Sequence, residues 1–150
     1  MRIVLQRVTK ARVLVNENVT GEIDQGALVL IGAGQEDSEA DATYLAEKTV
    51  NLRVFADEDG KMNKSLLDVG GGALAISQFT LFGDARRGRR PAFTSAMEPG
   101  EAKRLYEFYV SELSRLGVKN VQTGIFAADM KVELTNDGPV TILLDSKKAF

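Results

Sequence analysis

The chain contains no cysteine and no histidine. The first absence excludes disulfides, thiolate nucleophiles and thiolate metal sites. The second removes the commonest general base, the Ser-His-Asp and Cys-His triads, and every zinc site built on imidazole. No apolar run approaches the ~20 residues that would span a bilayer, and Arg2 and Arg7 frame a short alternating stretch where a signal peptide would carry an apolar core. A cytoplasmic protein without membrane attachment is expected. Charge of one sign is not in excess either: 19 basic against 21 acidic residues give a formal net charge of −2, so a nucleic acid would have to be met by a local basic patch. Chemistry is left to hydroxyls, carboxylates, amines, backbone groups or the substrate itself. No metal and no cofactor is implied.

What is present is the composition of an ordinary globular protein. The 150 residues, 44% hydrophobic and 27% charged, predict a single domain over residues 1–150 with one core. Ile3, Leu5 and Val8 alternate with Arg2, Gln6 and Arg7, and Val13 to Val15 follow before the turn-forming Asn16-Glu17-Asn18; this reads as strand, strand, turn, strand. Ala27 to Ile31 is a continuous apolar run between glycines, as expected of a strand buried on both faces. Ser38 with Asp41 looks like a helix start, followed by Ala42, Leu45, Thr49 and Leu52 at helical spacing.

A strand around Arg53 to Ala56 should end at Asp57-Glu58-Asp59-Gly60, and another should run from Ala73 to Phe79. A second helix after Pro99-Gly100 would bury Ala102, Leu105, Tyr109, Leu113 and Leu116 and stop at Gly117. Met130 to Leu134 and Val140 to Leu144 flank Asn136-Asp137-Gly138-Pro139, which resembles a hairpin connection. The order of elements fits an α+β domain with largely antiparallel or mixed sheets, barrel-like or sandwich, and two main helices.

Four segments invite a chemical reading. Gly32-Ala33-Gly34 stands where a dinucleotide-binding turn would, but the third glycine of that fingerprint falls on Asp37, whose carboxylate would repel a pyrophosphate. Arg86, Arg87, Arg89 and Arg90 crowd around Gly88, with no carboxylate following until Glu98 and with Phe93 close by. Such a run is either a solvated loop or a phosphate-binding surface with an aromatic for stacking. Ser77-Gln78-Phe79-Thr80-Leu81 places two hydroxyls and a carboxamide at a strand end; they either satisfy that end or face a ligand, with backbone N–H groups available to an oxyanion. In Asn136-Asp137-Gly138-Pro139-Val140-Thr141, proline directly after the turn lacks the N–H a paired strand needs, which a cis peptide or a backbone facing something other than a strand would accommodate. Asp129 and Asp137 lie near that segment and read as turn or strand-end residues rather than bases.

The last two segments, SQFTL at Ser77 to Leu81 and NDGPVT at Asn136 to Thr141, carry a resemblance to the D-aminoacyl-tRNA deacylases. It extends from the opening Met1 to Val8 through the Arg86 to Phe93 stretch to the C-terminal segment. The resemblance implies a homodimer with active sites at the subunit interface, hydrolysing the ester of D-aminoacyl-tRNA; because glycine has no side chain to exclude, some activity on glycyl-tRNA is expected as well. It implies that Gly138 and Pro139, joined by a cis peptide and held by Arg7, reach into the partner's site and reject L-amino acids. Ser77, Gln78, Phe79 and Thr80 would line that site. Thr80 is the family's traditional nucleophile candidate, but with no base beside it in sequence, attack by water assisted by the ribose 2′-hydroxyl is the favoured expectation. A non-catalytic RNA-binding module using Arg86 to Arg90, or a small-molecule esterase or amidase, are the competing readings.

Overall fold

The computed structural model describes residues 1–150. Strand β1 (Arg2–Val15) leads into β2 (Asn18–Ile23) and β3 (Gly26–Gly32), then helix α1 (Glu39–Asn51). A small hairpin of β4 (Phe55–Ala56) and β5 (Met62–Lys64) and a short helix α2 (Leu66–Val69) follow. Next come β6 (Gly72–Ser77), a 3-10 turn (Phe79–Phe82), helix α3 (Pro99–Arg115), β7 (Val121–Thr123) and β8 (Lys131–Asp145).

Six strands form one mixed sheet in the order β2-β1-β3-β6-β7, with β8 along the other edge of β1. The pairs β3–β6 and β6–β7 are parallel. Parallel neighbours need a long crossover, and α1 and α3 lie in the two connections. The helices pack on each other through Thr49 and Tyr109, whose hydroxyls meet at 2.8 Å in the core. Ile3, Leu5, Val29, Ile31, Leu45, Leu105 and Leu113 fill the layer between sheet and helices. Val8, Val13, Ile23, Leu28, Leu74 and Ile76 form a second cluster inside the curl of the sheet. Successive residues of β3 thus go to opposite clusters, which accounts for its unbroken apolar run.

The curl nearly closes the sheet into a barrel, because β2 approaches β7 at Gly21: a Cβ there would lie 2.5 Å from the Thr123 carbonyl oxygen. The expected start of the first helix is present, with Ser38 as N-cap and its N–H donating to the Asp41 carboxylate at 2.8 Å. The second helix also falls where its apolar spacing predicts.

Three expectations need correction. The two strands expected before Asn16 are one continuous strand, because β8 pairs along it from Arg2 to Leu14. Of Arg53 to Ala56, only Phe55 and Ala56 are strand. Met130 to Leu144 is not a hairpin: β8 runs through it antiparallel to β1, and residues 137–140 bulge out between the pairs Val8–Asn136 and Gln6–Thr141. A two-stranded turn signal and a bulge on an edge strand use the same residues, and only the partner strand distinguishes them.

Replacing Gly21 by alanine is expected to push β2 off β7 and cost about 1–3 kcal/mol, read as a lower urea midpoint at unchanged slope.

Candidate active site

A half-open cavity of about 660 Å³ opens where the C-terminal end of β6 meets the start of α3. Met1, Ile31, Ala33 and Ile76 contribute to its wall, as do Met97, Ala102 and Tyr106 from the α3 side and Phe126 and Met130 after β7. Ser77, Gln78, Phe79 and Phe93 complete the lining. The wall around Ala96 is stapled to the end of β3: Met97 N–H donates to the Ala33 carbonyl at 3.0 Å, and Gln35 N–H to that of Ser95 at 3.1 Å.

Beyond Ser77 the chain leaves the sheet after one more ladder bond, Gln78 N–H to the Ile31 carbonyl at 2.7 Å, and tightens into the 3-10 turn. The Phe79 and Thr80 N–H groups open that turn, so no preceding turn offers them a carbonyl, and neither donates to a loop or side-chain acceptor. Arg2 holds the turn from behind, donating to the Leu81 carbonyl at 3.1 Å while its guanidinium lies 4.6 Å from the Phe82 ring centre. Phe79 is 57% exposed and meets Phe93 edge to face at 5.1 Å, so an aromatic rim borders the cavity.

The Thr80 hydroxyl accepts a hydrogen bond from the Gln78 carboxamide at 2.5 Å. Its partner is a donor, not a base, and Thr80 is not among the residues lining the cavity. The acidic groups of the lining are Glu98 and Asp129. Glu98 caps α3, accepting from the N–H groups of Gly100 and Glu101 at 2.7 and 3.1 Å, and these bonds hold its carboxyl below the usual glutamate range. Asp129 sits 3.3 Å from Lys131 on an exposed turn. Burial, followed by the charge of Glu107, pushes the Tyr106 hydroxyl up to about 12, and it is spent on the Ala75 carbonyl at 2.7 Å. The cavity therefore offers shape and backbone donors but no activated side-chain nucleophile. No three acidic side chains converge as a metal site would need.

The arginine cluster caps a loop closed by paired hydrogen bonds between Asp84 and Ala92, which places it beside Phe93 and the cavity rim. Asp84, preceding the run, takes Arg86 in a two-point ion pair, its oxygens 2.9 and 2.7 Å from Nε and Nη2. No carboxylate follows the run until Glu98, and the one partner that the cluster finds, Asp84 for Arg86, lies before it. Arg87, Arg89 and Arg90 are exposed and make no ion pair.

Gly138 and Pro139 are joined by a cis peptide. The Arg7 guanidinium donates to the Asp137 carbonyl at 2.8 Å and to that of Val54 at 2.7 Å, tying the start of the bulge to the chain after α1. Gly138 has φ +142°, and a Cβ there would strike the Val140 side chain at 2.9 Å and the Arg7 guanidinium at 3.1 Å. The structure does not bring this corner to the cavity of its own chain. Ser77 registers through Ile31 with Ile3, whereas the bulge faces Arg7, four positions along β1. That is about 13 Å along the strand direction, and β1 and β3 lie between. Two residues that organise these sites, Arg2 and Asn136, were not singled out by sequence; the one signal for Asn136 is its place at the head of NDGPVT.

Fold and site together define a small, nearly barrel-shaped α+β protein that offers a ligand an apolar cavity, free backbone donors and unpaired arginines. A model of the family described as D-Tyr-tRNA(Tyr) deacylase matches residues 4–145. The chain is 59% identical to a D-aminoacyl-tRNA deacylase of Fervidobacterium nodosum, covering 100% of both chains. It is 57% identical to one of Thermus aquaticus, covering 99% of this chain and 97% of that one. A solved structure named c-Myc DNA Unwinding Element Binding Protein superimposes with TM-score 0.92 at 38% identity, over 97% of this chain and 98% of that one. The chain belongs to the D-Tyr-tRNA(Tyr) deacylase family.

Because Glu98 contributes as a carboxylate, its stabilising effect is complete above the ordinary glutamate pKa of about 4.3 and is lost as pH falls through its depressed folded value. Thermal melts of Glu98→Ala should lie below wild type at pH 7, and the gap should close as acid protonates Glu98.

Proposed function

We propose that this deacylase, as one domain over residues 1–150 in the cytoplasm, hydrolyses the ester of D-aminoacyl-tRNA without a side-chain nucleophile. Water attacks the ester carbonyl with help from the ribose 2′-hydroxyl. The Phe79 and Thr80 N–H groups receive the developing oxyanion, beside the apolar cavity that seats the end of the tRNA. The observation that carries this reading is the state of Thr80: its hydroxyl is bonded to a donor, and no base stands beside it. Backbone donors at a fixed turn supply electrostatic stabilisation that needs no histidine. Arg87, Arg89 and Arg90, with Arg86 braced on Asp84, would meet phosphates of the acceptor stem; as their loop runs directly into Phe93 of the cavity lining, they fit an RNA-directed hydrolase better than a free small-molecule esterase.

The distance between corner and cavity supports a homodimer in which Gly138 and Pro139 of one copy enter the partner's site. β8 is an edge strand with Leu134 36% and Leu143 56% exposed, and an apolar edge of this kind is suited to a second copy of the chain. Selectivity would then rest on exclusion: an L side chain collides with the corner, a D side chain points away, and glycine has nothing to exclude, so glycyl-tRNA is a substrate too.

Matched D-tyrosyl- and L-tyrosyl-tRNA test this with wild type and Pro139→Ala. Fast D release with negligible L release is expected from wild type, and loss of that discrimination from the variant; no release of either ester would overturn the reading. Thr80→Ala should lower kcat only a few-fold, whereas a loss of about 10⁴ would restore Thr80 as nucleophile.

A further inference from the structure

We propose that Asn136 is a positioning residue for stereoselection, closing the far side of the bulge that carries Gly138 and Pro139; this rests on the reading of that corner as the element that rejects L substrates. On β8 the residues 137–140 have no β1 partners, since one residue of β1, Arg7, faces all four. Pro139 has no N–H to lose, but Val140 carries both a donor and an acceptor on a half-buried residue. Leaving them unpaired would be costly.

The Asn136 carboxamide takes both. Its Oδ1 accepts from Val140 N–H at 2.7 Å, and its Nδ2 donates to the Val140 carbonyl at 3.1 Å and to the Thr141 hydroxyl at 3.2 Å. The side chain thus stands in for the missing strand partner. Val140 in turn sets Gly138, whose open face lies against the Val140 side chain and N–H.

The two ends of the bulge are therefore fixed separately. Arg7 holds the peptide that leads into Gly138, and Asn136 holds the peptide that leaves Pro139. Asp137, Gly138 and Pro139 are exposed and belong to neither core cluster. Releasing the Asn136 side should let the corner yield to an L side chain while the sheet and the cavity stay intact.

The test compares D-tyrosyl- and L-tyrosyl-tRNA cleavage by wild type, Pro139→Ala, Asn136→Ala and Asn136→Asp, alongside thermal melts. Asn136→Ala is expected to keep D cleavage within a few-fold and raise L cleavage about tenfold or more, with little change in melting temperature. Asn136→Asp keeps the acceptor for Val140 N–H but loses both donors, so its discrimination should fall between wild type and Asn136→Ala. If Pro139→Ala relaxes selectivity and Asn136→Ala does not, the role of Asn136 is overturned while the corner stands. If Asn136→Ala lowers D and L cleavage in proportion with a depressed melt, its role is structural and the proposal is equally overturned. If neither variant relaxes selectivity, the corner itself is not the selector, and both readings fall.

Discussion

Strand β1 is hydrogen-bonded along both edges, to β8 on one side and to β3 and then β2 on the other. Its register consequently positions two of the candidate segments at once. Arg2, at its start, reaches the turn that presents the Phe79 and Thr80 N–H groups, and Arg7, five positions on, reaches the bulge that presents Gly138 and Pro139. A one-residue slip of β1 would reverse the faces of both arginines and empty both clusters of its buried alternate residues. The same ladder keeps the turn and the bulge of one chain apart, so an enzyme that uses both in one site requires a second copy.

The chemistry is shaped by what the cavity lacks. Tyr106 is buried against a backbone carbonyl, Glu98 is committed to a helix cap, and Thr80 is bonded to a carboxamide. Each of these three has a structural partner that keeps it from acting as nucleophile or base, and the Ser77 hydroxyl of the lining has no base bonded to it. Free to meet a developing charge is backbone N–H, which cannot be titrated and does not reorganise as charge develops. In the proposed mechanism such a site has little to offer an ester that does not bring its own hydroxyl.

Much of this architecture was legible in the sequence, and the misses have physical causes. The unbroken apolar run Ala27 to Ile31 identified a strand buried on both faces, and Ser38 with Asp41 marked a helix start, because these signals depend on neighbours within a turn or two. The Asn136 to Pro139 segment was misread as a hairpin, because its turn chemistry is local whereas its partner, β1, lies more than a hundred residues away. The arginine run was legible as too dense to pair in full, but that Asp84 takes Arg86 was not, because only downstream carboxylates were weighed and Asp84 lies upstream. SQFTL was legible as polar residues at a strand end, but the 3-10 turn that turns two N–H groups outward depends on Arg2 and on the close of the β3–β6 ladder.

In the mechanism proposed above the site has no side-chain nucleophile and must discriminate by shape, and shape discriminates only as well as it resists deformation. Rejecting one enantiomer a thousandfold requires raising its barrier by about 4 kcal/mol. A bulge on an exposed edge strand would ordinarily move aside for much less, since such segments open at little cost. With the corner as the proposed selector, the limit on selectivity is its stiffness, and that stiffness comes from its clamps. One bond from a charged donor, at about 1.5–3 kcal/mol, and the neutral bonds of a carboxamide, at about 0.5–1.5 kcal/mol each, sum to the required size. Arg7 supplies the first and Asn136 the second. Neither side chain need touch the substrate for its loss to be felt in the ratio of D to L cleavage.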